Sequence, residues 1–209
     1  MKTKIYYVMD TMCGWCYGFS DVITKVEEKY KDSYDFDILP GGMWTDENVK
    51  TMSHSLGNYI KGHIVRIEQL TGKHFGECYN KNILESNSII LDSFPGAKAV
   101  VLVSKMKKEV AFDFLKKIQE AHFVEGKDMN NLEIYSEIAE SFNIPKDEFE
   151  KKYLSADLIE ETLKAFEMVE ALRVASFPTV IAIKDNKRIM IAQGYSSFED
   201  LDRALSSLA

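Results

Sequence analysis

Residues 12–19, Met12-Cys13-Gly14-Trp15-Cys16-Tyr17-Gly18-Phe19, read MCGWCYGF and carry two of the chain's three cysteines, three positions apart. Upstream, residues 4–9 (KIYYVM) are apolar and rich in β-formers and stop at Asp10, which predicts a short buried strand. Downstream, Cys16, Phe19, Ile23, Val26 and Tyr30 recur at three- and four-residue steps, with charged residues on the other faces. That is an amphipathic helix of about four turns. Residues 34–39 (YDFDIL) then alternate with period two and end at Pro40-Gly41-Gly42, a second strand. Strand, helix and strand in this order predict a parallel pair with a right-handed crossover. The cysteine pair falls where the first strand gives way to the first helix.

From about residue 46 the pattern turns helical and stays so for a long way. Ala111, Phe114, Leu115 and Ile118 share a helical face, as do Tyr135, Ile138, Ala139 and Phe142, and again Ile159, Leu163, Phe166 and Val169. Phe94-Pro95-Gly96 reads as a helix start with proline near its first position, and residues 143–145 and 155–157 read as stop and start signals. Residues 72–95 are the least regular stretch. Strands return at residues 179–184 (TVIAIK) and 188–192, joined by a turn at Asp185-Asn186-Lys187. A final helix reaches Leu205, with Ser196 or Ser197 as its N-cap. The β-α-β opening and β-β-α finish predict one α/β sheet unit, discontinuous over residues 1–45 and 171–209, interrupted by an all-helical insertion over 46–170.

A thiol exchanges with a disulfide only as thiolate, so a redox cysteine needs surroundings that favour the anion. The free N–H groups and positive dipole end of a first helical turn are one such setting. Cys13 stands where its sulfur can accept those N–H bonds, and Cys16, one turn further, lies on the same face, shielded and placed to resolve a mixed disulfide. Gly14 allows a substrate backbone to approach closely. Trp15 either faces substrate or covers the helix start.

A CxxC that opens the first helix of a β-α-β unit resembles the thioredoxin superfamily, and the helical insertion before a β-β-α return resembles its DsbA-like branch. The wording DTMCGWCYGF and the Gly41-Gly42 pair after strand two are similar to cytosolic protein-disulfide isomerases assigned to that branch. The resemblance implies a thioredoxin-like fold and a thiol–disulfide oxidoreductase, with Cys13 attacking and Cys16 resolving. It also implies that Pro178, in Ser176-Phe177-Pro178-Thr179, is the cis-proline facing the CxxC, and that Phe177 offers its backbone to an extended substrate. Where many relatives carry a buried acid on the first strand, this chain has Tyr7. Asp10, three residues before Cys13, is the nearest carboxylate in sequence, and either helps proton transfer or merely ends the strand. The dipeptide between the cysteines is Gly-Trp, with no histidine to stabilise a thiolate, which places the couple toward the reducing end of a range of roughly −270 to −120 mV.

Two alternatives stand beside this reading. Kappa-class glutathione transferases and hydroxychromene-carboxylate isomerases share the insertion, and Asp10 resembles their opening motif. They usually carry serine as nucleophile and no second cysteine, so Cys16 argues against them. Alternatively, His74 and Cys78 join the CxxC in a Cys3His zinc site of a non-enzymatic protein. His54, His63 and His122 read as structural residues, Cys78 as an incidental thiol, and Met43 and Trp44 either line a groove by the cysteines or pack as a loop.

Composition narrows the field further. Of 209 residues 45% are hydrophobic, ample for a core, and the net charge of −7 leaves no basic stripe for nucleic acid or an anionic membrane. The apolar run near the N-terminus is too short for a signal peptide. The expectation is a cytoplasmic protein acting on protein or small-molecule disulfides, needing no metal or organic cofactor, with glutathione as a candidate substrate or reductant. Oligomeric state is not legible.

Overall fold

The computed structural model describes residues 2–208. Strands β1 (Lys4–Met9) and β2 (Asp35–Pro40) flank helix α1 (Gly14–Tyr30) and pair in parallel, Tyr7 opposite Ile38. A two-residue ladder joins β3 (Lys50–Thr51) to β4 (Ile90–Leu91), enclosing α2 (His54–Thr71) and a short α3 (Glu77–Tyr79) that runs into one wide turn at Asn80–Leu84. Five helices follow: α4 (Phe94–Met106), α5 (Ala111–Phe123), α6 (Leu132–Ser141), α7 (Lys146–Tyr153) and α8 (Ala156–Ala171). The chain closes with β5 (Thr179–Lys184), β6 (Lys187–Gln193) and α9 (Phe198–Ser206). The main sheet has the order β2-β1-β5-β6, with β5 antiparallel to both β1 and β6. This is the mixed α/β thioredoxin-like arrangement that the sequence predicts, with helices occupying most of residues 54–171.

Local chemistry explains the boundaries. Asp185 and Asn186 both take positive φ, 50° and 59°, as the two-residue turn of a tight hairpin requires. The Ser197 hydroxyl accepts from the Asp200 amide and starts α9, and the Ser155 hydroxyl does the same for α8 through Leu158. Pro95 sits in the first turn of α4, where its missing N–H costs nothing.

β1 is buried on both faces, which is why its sequence runs apolar without alternation. Ile5, Tyr7 and Met9 join the large core with α1, α4 and α5, while Tyr6 and Val8 pack with Leu39, Ile181 and Val169 beneath α8. On α1, Cys16, Phe19, Ile23 and Val26 are fully or almost fully buried. Each of the larger side chains contributes roughly 1.5–3 kcal/mol to holding that helix on the sheet.

One apolar face is presented differently from the pattern. Ile159 and Leu163 are 42% and 46% exposed, and α8 buries Leu158 and Thr162 in their place, while Val169 of the same stripe is buried as the pattern predicts. Thr162 can occupy the inner face because its hydroxyl donates to the Leu158 carbonyl at 2.7 Å, so no polar group is left unpaired. The ladder at residues 50–51 and 90–91 also interrupts a region whose pattern reads as helical throughout. Two residues per strand are too few for periodicity to register.

Candidate active site

Cys13 is the N-cap of α1, in extended conformation (φ −84°, ψ 113°), and Cys16 lies one turn in. Both thiols are free. Cys16 has no exposed surface, whereas Cys13 retains 6% and opens on a cavity. The Cys13 sulfur accepts no cap hydrogen bond from α1, in contrast to the sequence expectation. A protonated thiol is a donor, and the Cys13 Sγ–H faces the Phe177 carbonyl oxygen, 3.8 Å away. Burial pushes the Cys16 thiol well above its ordinary range, and the neighbouring Cys13 sulfur adds to the shift, with the Asp10 backbone amide opposing it.

The Phe177–Pro178 peptide bond is cis. The carbonyl that faces the Cys13 thiol belongs to Phe177, the residue before this proline. The Phe177 ring lies over Gly41, where a Cβ would come within 2.1 Å of ring atom Cζ. Real Cβ contacts are not that short, so the glycine after β2 clears the space that the ring occupies. This gives the Gly41-Gly42 pair a physical reason.

Asp10 is 1% exposed and fully committed. Its Oδ1 accepts from the Met12 amide at 2.9 Å and from the Ser93 hydroxyl at 3.0 Å, and its Oδ2 accepts from the Met43 amide at 2.7 Å. Burial raises its pKa, and these three donors offset part of that rise. Ser93, at the head of α4, also accepts from the Trp44 amide through its hydroxyl, and its own amide donates to the Trp44 carbonyl. One carboxylate thus ties the cysteine loop, the loop after β2 and the start of α4 together. Tyr7, fully buried, turns its hydroxyl toward the Cys16 carbonyl at 3.5 Å, and burial and the two cysteines hold its phenol well above the usual range. The strand position beside the cysteines therefore carries no charge.

The cavity next to Cys13 has a volume of about 230 Å³. Ile64, Ile67, Phe75, Leu91 and Phe123 form its apolar walls. Gly14, Trp15, Met43, Trp44, Tyr59 and His63 complete the part nearer the cysteine loop. Trp15 is half-buried, with the Arg66 guanidinium 5.9 Å from its ring centre. Met43 and Trp44 are thus groove residues. Tyr79 and His122 also line the cavity, their rings edge to face at 5.1 Å. Tyr59, His63, Phe75, Tyr79 and His122 have no sequence signal linking them to Cys13: they arrive from α2, the loop after it, α3 and α5, and only the tertiary fold gathers them.

The proposed zinc set is not assembled. The His74 side chain is 78% exposed and faces Glu68 at 3.3 Å, and Cys78 is exposed while both motif cysteines are buried. Among the described residues no group of three or more His, Cys, Asp or Glu side chains is placed to hold a metal ion.

A family model described as Thioredoxin matches residues 6–199. The chain belongs to the thioredoxin family. Within that family it is similar in structure to a Nitrosomonas europaea protein whose assignment as a protein disulfide isomerase is itself provisional. That likeness has 28% identity and a TM-score of 0.89, over 99% of this chain and 97% of that one. It is also similar to the cytosolic disulfide reductase DsbM of Pseudomonas aeruginosa, at 25% identity and TM-score 0.81 over 98% of each chain, and to the same protein with GSH, at 24% and 0.80 over 98% of each. A curated relative, the ClpXP adapter protein SpxH of Bacillus subtilis strain 168, is 22% identical over 177 residues, 85% of this chain. The chain spans 57% of that relative's length. The fold of this thioredoxin-family chain is that of DsbA-like oxidoreductases, and no helix among the described residues is long and apolar enough to cross a membrane.

Proposed function

We propose that this thioredoxin-family protein is a thiol–disulfide oxidoreductase that works through the Cys13/Cys16 pair, in the direction of reduction or isomerisation. Cys13 as thiolate attacks a substrate disulfide and releases one thiol, and Cys16 then attacks Cys13 and releases the second. The observation that carries this reading is the opposition of two backbones at one sulfur: Cys13 stands as the N-cap of α1, and the Phe177 carbonyl ahead of cis Pro178 faces its thiol at 3.8 Å. Gly14, Trp15, Phe177 and Pro178 frame the bound substrate, which is a protein or small-molecule disulfide. No metal or organic cofactor enters the exchange, and glutathione serves as substrate or reductant. The likeness to a cytosolic reductase supports a cytoplasmic site of action, where reduction is favoured over net oxidation. Titration of the couple against glutathione buffers tests the reading, with insulin reduction and recovery of scrambled ribonuclease measured alongside. A reductase or isomerase gives a low potential and turnover in one of the two assays. A protein that forms no Cys13–Cys16 disulfide at any glutathione ratio refutes it.

A further inference from the structure

The cavity beside Cys13 has a chemical character of its own. Among the described residues no Lys, Arg, Asp or Glu lines it. Arg66 lies against Trp15 but is not part of the lining. A carboxylate taken into such a space loses its water and gains no ion partner, which is strongly unfavourable. An apolar group gains free energy in proportion to the surface it removes from water.

Two buried polar side chains qualify that apolar surface. His122 is 1% exposed, and its Nδ1 lies 3.3 Å from the Lys127 carbonyl. A carbonyl only accepts, so the ring donates from Nδ1 and carries a lone pair on Nε2. Burial lowers this histidine's pKa to about 4, so the ring is neutral at pH 7. Tyr79 is 3% exposed. Neither His122 Nε2 nor the Tyr79 hydroxyl has a hydrogen-bond partner among the described residues. Apolar walls with a few convergent polar groups are the usual make-up of a small-molecule site.

We propose that this cavity selects low-molecular-weight disulfides whose sulfur bears an uncharged aromatic or branched aliphatic group with one hydrogen-bonding function, which Tyr79 and His122 receive. The proposal rests on the oxidoreductase reading above and names the substrate class of that same site. In the exchange, the Cys13 thiolate displaces one thiolate from the substrate R–S–S–R and keeps the other half as Cys13–S–S–R, with R in the cavity. The Cys16 thiolate then displaces the second R–S⁻ and leaves the Cys13–Cys16 disulfide. Two molecules of a low-molecular-weight thiol such as glutathione restore both thiols and leave as their own disulfide. The two protons lost by the cysteines pass to the departing thiolates.

The test compares the symmetric disulfides of 4-hydroxyphenethyl thiol and of 3-mercaptopropionate, whose thiols are of similar basicity, with glutathione as reductant and insulin as a control. For the native protein, kcat/KM is expected to be at least tenfold higher for the uncharged probe. Ile64→Phe, which fills the cavity, is expected to lower that value fivefold or more, and Tyr59→Lys, which puts a cation at an exposed wall position, is expected to lower the ratio between the two probes fivefold or more. Equal or reversed preference in the native protein, or an unchanged ratio of the two probes in Tyr59→Lys, overturns the substrate class. Insulin reduction without turnover of either probe overturns it too and leaves the oxidoreductase reading standing. Absence of turnover with all three disulfides removes both.

Discussion

Gly41 yields its side-chain space to the ring of Phe177: a Cβ there would meet ring atoms Cζ and Cε1 at 2.1 and 2.2 Å. The glycine just after β2 thereby governs where the loop before Pro178 can rest. Gly41→Ala is expected to displace the ring rather than unfold the protein, because the clash is with the far end of a side chain. The expected result is a several-fold loss of disulfide turnover with thermal stability nearly unchanged. Adding Phe177→Leu is expected to restore part of the activity, and a double variant no better than Gly41→Ala alone would contradict the coupling.

The two cysteines are expected to fail in different ways. Cys13→Ser removes the nucleophile and abolishes exchange. Cys16→Ser leaves an attacking thiol with no resolving partner, so a covalent mixed disulfide accumulates and can be read by mass spectrometry after incubation with glutathione disulfide. Full turnover by Cys16→Ser would point instead to transferase-type chemistry, in which a single nucleophile suffices.

Asp10 offers a prediction about stability. Its carboxylate receives three donors in a dry site, and Asp10→Asn supplies one carbonyl oxygen and sets an NH2 against at least one of them. Leaving buried donors unpaired costs about 1–3 kcal/mol each. A drop of that order in the urea unfolding free energy is expected, and its absence would mean that the three segments hold together without the carboxylate.

His122 predicts a pH dependence. Its folded pKa is lowered from 6.5 to about 4, so between those values the unfolded chain binds the proton and the folded chain does not. Stability therefore falls as pH drops from about 6.5 toward 4. At about 1.4 kcal/mol per pH unit the full contribution is about 3 kcal/mol. In His122→Gln this component is expected to vanish. Urea midpoints for the two proteins that stayed parallel from pH 7 to pH 4 would rule it out.

The order of strands and helices around MCGWCYGF was legible because each carried its own local pattern: alternation in residues 34–39, a helical stripe from Cys16 to Tyr30, a turn at Asp185-Asn186. The cis bond before Pro178 came from resemblance, since spacing says nothing about peptide isomers. The inner face of α8 was misleading because Thr162 counts as polar in a pattern and yet satisfies its own hydroxyl. The cavity was illegible for a deeper reason. His63 and His122 stand 59 positions apart in the sequence, and nothing in either neighbourhood encodes the other, so tertiary packing alone brings them to the same cavity.

The reach of Asp10 to Ser93 has one more consequence. The loop bearing Cys13 is not finished when the chain has made its first strand, helix and second strand. It becomes whole only once a residue some eighty positions later has docked against it. A protein shortened to its sheet, with the helical stretch cut out, would keep the cysteines and lose the latch that shapes them. In this architecture the added helices hold the cysteine loop from outside the sheet, and whatever loosens the head of α4 also reaches the thiols.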